Sequence, residues 1–241
     1  MEYLMLVRVP ADAAPTPEEA SPDSWVDTTM ADRTRVVGER LQPAAEATTV
    51  RVRDGEVLLT DGPFAEVHEQ VAGFDVLRVS SREEAVAVAA AHPVAGFGAL
   101  ELRELWPFGA DDESPFAPDA AERGRYLLIM VDEPSPAPAG PTRSAGTSAE
   151  PGPRPDTWIA TMGERGLDVG GARLRPPAEA VTVRRVGGEV VVTDGPFAEL
   201  REQVAGVNLL AAADLDEAIE AAAAHPAAAG AIEIRALWPF E

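Results

Sequence analysis

The residues best placed to do chemistry lie in a short string that occurs twice. The string TDGPFAE stands at 60–66 and again at 193–199. Each copy brings three carboxylates within nine residues: Asp61, Glu66 and Glu69 in the first, and Asp194, Glu199 and Glu202 in the second. Carboxylates spaced this closely can transfer protons or hold a cation. Asp-Gly-Pro is also a strong turn signal, so a turn anchored by its phenylalanine is the alternative interpretation.

Two of the three histidines also occupy matching positions, because His92-Pro93 and His225-Pro226 each follow an alanine-rich run. Proline prevents a helix from continuing, so each histidine should end a helix. One interpretation is a charged helix cap, with the negative end of the helix dipole raising the imidazole pKa. The other is a general acid or base, or a partner for substrate charge, at the rim of a pocket. With Asp61 and Asp194, these histidines are our candidate catalytic residues.

Six further side chains are candidate ligand-binding groups beside the motif glutamates. They are Arg51, Arg184, Arg103, Arg235, Trp25 and Trp158. The arginines at 103 and 235 alternate with Glu101 and Glu233, so they form either an ion-pair ladder or a cavity wall that holds an anionic molecule. The tryptophans either cover the core or stack on a flat ligand. The histidines do not suggest a zinc site and no glycine-rich phosphate loop is present, so we predict neither a metal nor a cofactor.

Composition narrows the classes of chemistry and partner. The 241-residue chain has no cysteine, and all 20 of its basic residues are arginine, which removes thiolate chemistry and lysine Schiff bases. Its net charge of −21 argues against nucleic-acid binding. No apolar run approaches the ~20 residues of a membrane span, and the N-terminus lacks the basic region of a signal peptide. We therefore expect a cytoplasmic protein that binds neither nucleic acid nor membranes.

The chain is an internal duplication. Residues 38–93 match 171–226 at a constant offset of 133, with more than half of the positions identical. Flanking strings extend the match, so we predict one domain at 1–109 and a second at 124–241. The acidic segment 110–123 between them is predicted to be a linker, and the Pro/Ser/Gly/Ala tract at 134–155 a flexible loop.

Each copy predicts the same order of elements. In the first copy these are a strand at 3–9, a helix at 24–40, strands at 48–53 and 56–60 joined by an Asp-Gly turn, a strand at 74–79, a helix capped by Ser81 and a strand at 99–105. The order β-α-β-β-α-β with an added hairpin indicates an α+β, ferredoxin-like domain. A single sheet of this kind leaves one face to bury, so we expect the two copies to pack as an intramolecular pseudo-dimer that is compatible with further homodimerisation.

These strings resemble those of one known family. The run DGPFAE-x-x-EQ, preceded by LxPxAEATTVRxxDGxV and followed by AAAHP and GA-x-E-x-R, is similar to the DGPF-type YCII-related proteins. The resemblance implies a ferredoxin-like fold that pairs as an α/β barrel, a cytoplasmic setting, and genes that often lie beside extracytoplasmic-function sigma factors. It also implies a His–Asp active pair and, in a few relatives, lyase- or dehalogenase-like activity. The histidine that this pair needs on the first helix is absent from both copies.

Two hypotheses for function follow. In the first, each domain or the space between the sheets binds a compact polar or aromatic metabolite and carries out acid–base chemistry, which predicts a closed cavity that holds a motif carboxylate and a histidine. In the second, the chain is a non-catalytic regulatory or interaction protein, which predicts an exposed apolar patch. Differences between the copies, such as Asp75 against Asn208 and His68 against Arg201, suggest that one copy keeps a site and the other serves as a scaffold.

Overall fold

A computed structural model describes residues 1–11, 13, 15–16, 21–64, 69–106, 114–116, 119–132, 155–197 and 203–238. The first half contains β1 (Glu2–Pro10), α1 (Asp23–Ala31), β2 (Arg35–Leu41), β3 (Thr48–Arg53), β4 (Glu56–Asp61), β5 (Glu69–Arg78), α2 (Arg82–Ala91) and β6 (Ala99–Glu104). The second half contains α3 (Ala120–Arg123), β7 (Tyr126–Asp132), α4 (Pro155–Glu164), β8 (Asp168–Arg173), β9 (Val181–Val186), β10 (Glu189–Asp194), β11 (Gln203–Leu210), α5 (Leu215–Ala224) and β12 (Ala231–Trp238). No helix within these ranges is long and apolar enough to cross a membrane.

The prediction of a helix over 24–40 is wrong in its second part. The helix α1 ends at Ala31, and residues 35–41 form the strand β2 instead. Arg33 adopts a left-handed φ of 58°, which turns the chain out of the helix. The β-branched pair Val36-Val37 then favours a strand, and Gly38 disfavours a helix. The equivalent strand β8 in the second half was also missed.

Other local predictions are confirmed. The hairpin β3–β4 turns at Asp54-Gly55, where both residues have positive φ values of 51° and 82°. The helix α2 begins as a capping box predicts, because the Ser81 hydroxyl accepts a hydrogen bond from the Glu84 backbone N–H at 3.2 Å. Asp214 caps α5 in the same way through Glu217 at 2.9 Å.

Each half builds an antiparallel sheet of four of its own strands. In the first half β1 lies between β5 and β6, and β2 pairs with the outer side of β5. In the second half β7 lies between β11 and β12, and β8 pairs with β11. The helices α1 and α2 pack on one face of the first sheet, and α4 and α5 on one face of the second. The chain therefore has a mixed α/β fold dominated by antiparallel strands.

The hairpins are exchanged between the halves. The hairpin β3–β4 of the first half pairs with β12 of the second, with Val50 opposite Ile232. The hairpin β9–β10 of the second half pairs with β6 of the first, with Val183 opposite Leu100. Leu41 at the end of β2 also pairs with Leu237 on β12, which joins the two sheets. Each sheet is therefore extended by strands from the other copy.

Apolar side chains from both halves pack between the two sheets. Leu4, Leu6 and Phe74 from the first half and Leu127 and Ile129 from the second half belong to one buried cluster. Each sheet forms one further buried cluster with the helices that pack on it. Each fully buried side chain of this size contributes roughly 1.5–3 kcal/mol, so the packed interface is a main source of stability. Apolar side chains therefore occupy the inter-sheet space where we expected a ligand.

The segment 110–123 contacts both halves where it is described, since the Ser114 hydroxyl also donates to Glu2 Oε2 at 3.1 Å. Phe116 is buried and forms an antiparallel bridge with Gly170 of β8, and the Gly171 N–H donates to the Pro115 carbonyl at 3.2 Å. A Cβ atom at Gly170 would lie 2.5 Å from that carbonyl oxygen, so the approach requires glycine. This part of the predicted linker is thus a packed element. The predicted loop at 134–155 lies outside the described residues except for Pro155, where α4 begins.

Candidate functional site

The two histidines that end α2 and α5 cap the turns that follow them. His92 Nδ1 accepts a hydrogen bond from the Val94 N–H at 3.2 Å, and His225 Nδ1 accepts one from the Ala227 N–H at 3.0 Å. An accepting Nδ1 carries no proton, so the neutral ring holds its proton on Nε2. Both histidines therefore act as N-caps of one-turn 3₁₀ helices, in a position where the ring is uncharged.

Burial keeps these imidazoles neutral. His92 lies edge-on to the Trp25 ring at 4.8 Å, and His225 lies edge-on to Trp158 at 4.6 Å. Burial lowers the pKa of each histidine to about 4, and for His92 the nearby positive charges of Arg35 and Arg185 lower it further. The prediction of a charged cap with a raised pKa is wrong, because loss of hydration outweighs the helix dipole at these sites.

A cavity of about 290 Å³ lies in the first half, between α1, the end of α2 and the strands β1, β2 and β5. Its walls include Trp25, Phe97 and the aliphatic residues Val7 and Val9 of β1. Its polar lining consists of Arg35, Glu39, Arg40, Asp75 and His92. Of the residues predicted to act together, this cavity contains His92 and Trp25.

Two residues of this polar lining form a buried ion pair. Arg35 Nε donates to Asp75 Oδ1 at 2.6 Å, and Arg35 Nη2 donates to the Gly38 carbonyl. A Cβ atom at Gly38 would lie 2.0 Å from Asp75 Oδ1, so only glycine leaves room for this carboxylate between the strands. Burial raises the pKa of Asp75 to about 6 although Arg35 acts in the opposite direction.

Glu39 carries an unusual carboxylate beside this cavity. Its Oε2 atom is buried and makes no hydrogen bond to any described residue. Burial raises the pKa of Glu39 to about 7, with Arg35 lowering it and the negative charge of Asp75 raising it. Glu39 lies opposite Phe74 in the ladder of β2 and β5, so its side chain leaves β2 on the face of the inter-sheet core, whereas Asp75 leaves β5 on the opposite face.

The second half keeps the histidine and the tryptophan but not the charged cluster. Asp168, Ala172 and Asn208 stand where the first half has Arg35, Glu39 and Asp75. Met130 replaces Val7, and its methyl group would lie 2.8 Å from a Cβ atom at Gly206. This half therefore has neither the glutamate nor the ion pair that define the cavity of the first half.

The motif carboxylates lie away from this cavity. Asp61 and Asp194 end the exposed strands β4 and β10, and the Asp194 side chain is 83% exposed and pairs with Arg82. Glu66, Glu199 and Glu202 lie outside the described residues, and of Glu69 only the backbone, at the start of β5, is described. The structure thus does not bring Asp61 or Asp194 to His92, as the first hypothesis required.

The DGPF turn instead docks on the opposite half. Gly62 has a φ of 97°, its carbonyl accepts from the Thr49 hydroxyl at 2.9 Å, and the Phe64 N–H donates to Glu233 Oε2 at 3.1 Å. In the second copy the Phe197 N–H donates to Glu101 Oε2 at 3.4 Å. The turn interpretation accounts for these contacts, and the partner carboxylate comes from the other half in both copies.

The glutamates that receive these turns are buried beside arginines. Glu101 accepts from Arg8 Nε at 2.9 Å and from Arg103 Nη1 at 3.4 Å. Glu233 accepts from Arg235 Nη1 at 3.1 Å. Arg103 also donates to the Arg175 carbonyl at 2.6 Å, and Arg235 donates to the Gln42 carbonyl. The ion-pair interpretation of Arg103 and Arg235 fits these contacts better than a role in ligand binding.

The other predicted ligand-binding residues also make contacts that support the fold. The Arg184 guanidinium stands over the Phe197 ring at 4.4 Å, and Arg51 is half-buried at the matching place on β3. Trp158 is buried and its indole N–H donates to the Ala221 carbonyl at 2.8 Å. Trp25 donates in the same way to the Val88 carbonyl at 3.0 Å, so both tryptophans cover the core and Trp25 also forms a cavity wall.

Sequence reasoning missed Arg35, Glu39 and Asp75. Placed in a helix over 24–40, Arg35 and Glu39 have the i,i+4 spacing of an exposed ion pair, which carries no functional signal. In the strand β2, Arg35 lines the cavity and pairs with Asp75. The sequence did contain one signal. Asn208 stands at the place of Asp75 within a well-matched stretch. A buried charge in a strand is costly unless it has an ionic partner or a function.

The antiparallel α/β architecture and the paired halves define a class of duplicated α/β domain proteins. The model of the YCII-related domain matches the chain twice, over residues 1–109 and 122–241. The chain belongs to the YCII-related family. It is similar to an uncharacterized protein of Rhizobium meliloti (strain 1021), with 46% identity over 70 residues, which is 27% of this chain and 56% of that protein. The chain thus spans little more than half the length of this relative.

Proposed function

We propose that the chain is a small-molecule enzyme that carries out proton transfer in the cavity of the first half. The observation that carries the proposal is the Asp75 carboxylate, which is buried beside Arg35 in a cavity that is also lined by His92. A residue in a cleft whose pKa is strongly shifted by burial and by a specific charge partner is a candidate for a functional site. The proposal replaces the motif aspartates with Asp75 as the proton-transferring group.

The neighbouring groups take distinct roles in this proposal. Arg35 holds the Asp75 carboxylate in the polar wall and favours its charged form. Neutral His92 offers its Nε2–H to a substrate acceptor, since Nδ1 is already engaged. Proton transfer by a single carboxylate suits isomerisation, elimination or hydrolysis of a small metabolite. From the family resemblance we also propose that the chain is cytoplasmic and belongs to the DGPF type.

The cavity depends on the arrangement of the halves, which we propose to be an intramolecular pseudo-dimer of two ferredoxin-like domains. The exchanged hairpins and the shared core support this. Arg185 of the second half reaches the first site, because its Nη2 donates to the Pro93 carbonyl at 3.4 Å beside His92. The second copy would therefore support the site of the first.

A proton-exchange assay tests the proposal. The full chain is incubated in D₂O with a panel of uncharged metabolites of fewer than about fifteen non-hydrogen atoms, a size that the cavity admits, and exchange or product is followed by NMR. We expect turnover of at least one compound, loss of that turnover in Asp75→Asn, and wild-type rates in Asn208→Ala. Unchanged turnover in Asp75→Asn would contradict the assigned role. A panel that the wild-type protein leaves unaltered would favour a binding protein.

A second candidate function rests on exposed apolar strands. Val57, Leu58 and Leu59 of β4 are 47% to 54% exposed, and the three valines at 190–192 of β10 are 42% to 50% exposed. Apolar edge strands are sites at which partner chains bind. This favours an interaction protein, associated by the family resemblance with an extracytoplasmic-function sigma factor. Co-immunoprecipitation of such a factor from native cells by the wild-type chain but not by Leu58→Glu would support it, and recovery of none would contradict it.

A further inference from the structure

The strand β10 is the outer strand of the sheet to which the first half belongs. Among the described strands it pairs only with β9, so the N–H and C=O groups along its other side have no strand partner there. Its three valines, Val190, Val191 and Val192, are 42% to 50% exposed. Because successive residues of a strand point to opposite faces, β10 exposes apolar side chains on both faces. Such an edge is a template on which another strand can pair.

The matching edge strand β4 is better protected against pairing. Its hairpin turns through Arg53-Asp54-Gly55, whereas the hairpin of β10 turns through Val186-Gly187-Gly188, which carries no charge. Charged residues on an edge oppose pairing with another chain. β10 also has two valines where β4 has two leucines, and β-branched residues favour strands. Of the two edges, β10 is therefore the more open to a further strand.

The sequence of β10 is complementary to itself. In an antiparallel pair of two copies centred on Val191, each Val191 faces its equivalent, and Val190 faces Val192 of the second copy. Glu189 then faces Thr193 instead of another carboxylate. Apolar cross-strand pairs stabilise a sheet, and like charges placed directly opposite destabilise it. This register satisfies both conditions along the strand.

Pairing at β10 would continue an interface that the chain already forms. The hairpin β9–β10 extends the first sheet by pairing β9 with β6, so a second β10 would carry the same sheet into a second copy across a two-fold axis. An interface in which the same strand meets itself closes after two copies. A contact made by one six-residue strand from each copy is small, so the resulting dimer is weak.

We propose that two copies of the chain associate through antiparallel pairing of β10 with β10. Each copy carries a net charge of −21, so the two copies repel each other while the uncharged centre of β10 holds them together. Salt screens the repulsion, so the dimer tightens as ionic strength rises. A basic partner on the same edge would show the opposite dependence. No residue of β10 lines the cavity of the first half, so the inference is independent of the proposed enzyme.

Sedimentation velocity of the full chain tests the proposal, from about 1 to about 100 µM protein and at about 0.05 and about 0.5 M NaCl. We expect a reversible monomer–dimer equilibrium with more dimer at the higher salt concentration. Val191→Lys places two ammonium groups opposite each other at the axis and should weaken the dimer at least about a hundredfold. Leu58→Lys, the matching substitution on β4, changes the net charge equally and should leave dimerisation at the wild-type level.

A mixing experiment tests the register. Chains carrying Val191→Lys and chains carrying Val191→Glu should each remain monomeric, and an equimolar mixture should dimerise because opposite charges then meet at the axis.

Three results would overturn the proposal. A wild-type chain that stays monomeric at about 100 µM would leave the edge to a different protein. Loss of the dimer in Leu58→Lys, or its retention in Val191→Lys, would place the contact on another strand. A mixture that stays monomeric would reject the pairing centred on Val191.

Discussion

At the scale of single residues, the chemistry of this chain depends on where burial overrides local charge. Glu39 and Asp75 have raised pKa values although Arg35 lies beside them, because loss of hydration exceeds the attraction of one guanidinium. His92 and His225 have lowered pKa values although they end helices. In each case burial favours the neutral form, and it moves only the two carboxylates toward titration near neutral pH.

This predicts the effect of pH on stability at Glu39. The pKa of Glu39 is raised from 4.5 to about 7 on folding. Between these pH values the folded chain holds a proton that the unfolded chain has lost, so the stability of the wild type falls as pH rises from about 4.5 to about 7. Glu39→Gln should therefore gain stability over the wild type as pH increases, by about 1 kcal/mol after allowance for solvent screening. Urea unfolding at pH 5 and pH 8 measures this difference.

The control for that experiment is Glu46→Gln, which alters an exposed glutamate on the turn after β2. Its stability relative to the wild type should be the same at both pH values. A Glu39→Gln variant that loses stability as pH increases would show that Glu39 is not held in a buried, weakly hydrated position.

At the scale of elements, the DGPF turn of each half binds to the last strand of the opposite half. Its glycine adopts a positive φ, and its phenylalanine N–H reaches a buried glutamate on the last strand of the opposite half. The two copies differ in one respect. Glu101 is held by two arginines, Arg8 and Arg103, whereas Glu233 is held by Arg235, with Val131 at the place of Arg8.

This asymmetry predicts unequal costs of removing each glutamate. Glu101→Ala leaves two guanidinium groups buried beside an unpaired N–H, and breaking such a pair costs about 3–5 kcal/mol. Glu233→Ala leaves one guanidinium group and should cost less. Denaturant unfolding of both variants at pH 7 gives the comparison, and equal costs would contradict the assigned role of Arg8.

At the scale of the whole molecule, the exchanged hairpins pair each half with the sheet of the other. Strands of each copy complete the sheet of the other, and the central core takes side chains from both. The site of the first half also contacts Arg185 of the second. A duplication arranged in this way can lose one site and keep its fold, because the second copy still supplies strands and core.

We therefore expect one cooperative unfolding transition in differential scanning calorimetry. Leu100→Ala in the first half and Ile232→Ala in the second remove buried side chains at the exchanged pairs and should each lower that single transition, by a cost of about 2–5 kcal/mol. Two separate transitions, with only one affected by each substitution, would show that the halves unfold independently.

The sequence by itself determined what depends on neighbouring residues. The Asp54-Gly55 hairpin, the caps at Ser81 and Asp214 and the ends of α2 and α5 follow from local turn and capping chemistry, and the duplication follows from the repeated strings. Only the tertiary structure decided the hairpin partners, the neutrality of the histidines and the buried ion pair of Asp75 with Arg35 in the cavity of the first half. These depend on burial and on contacts between distant strands, and the same spacing of Arg35 and Glu39 fits an exposed helix until β2 is known.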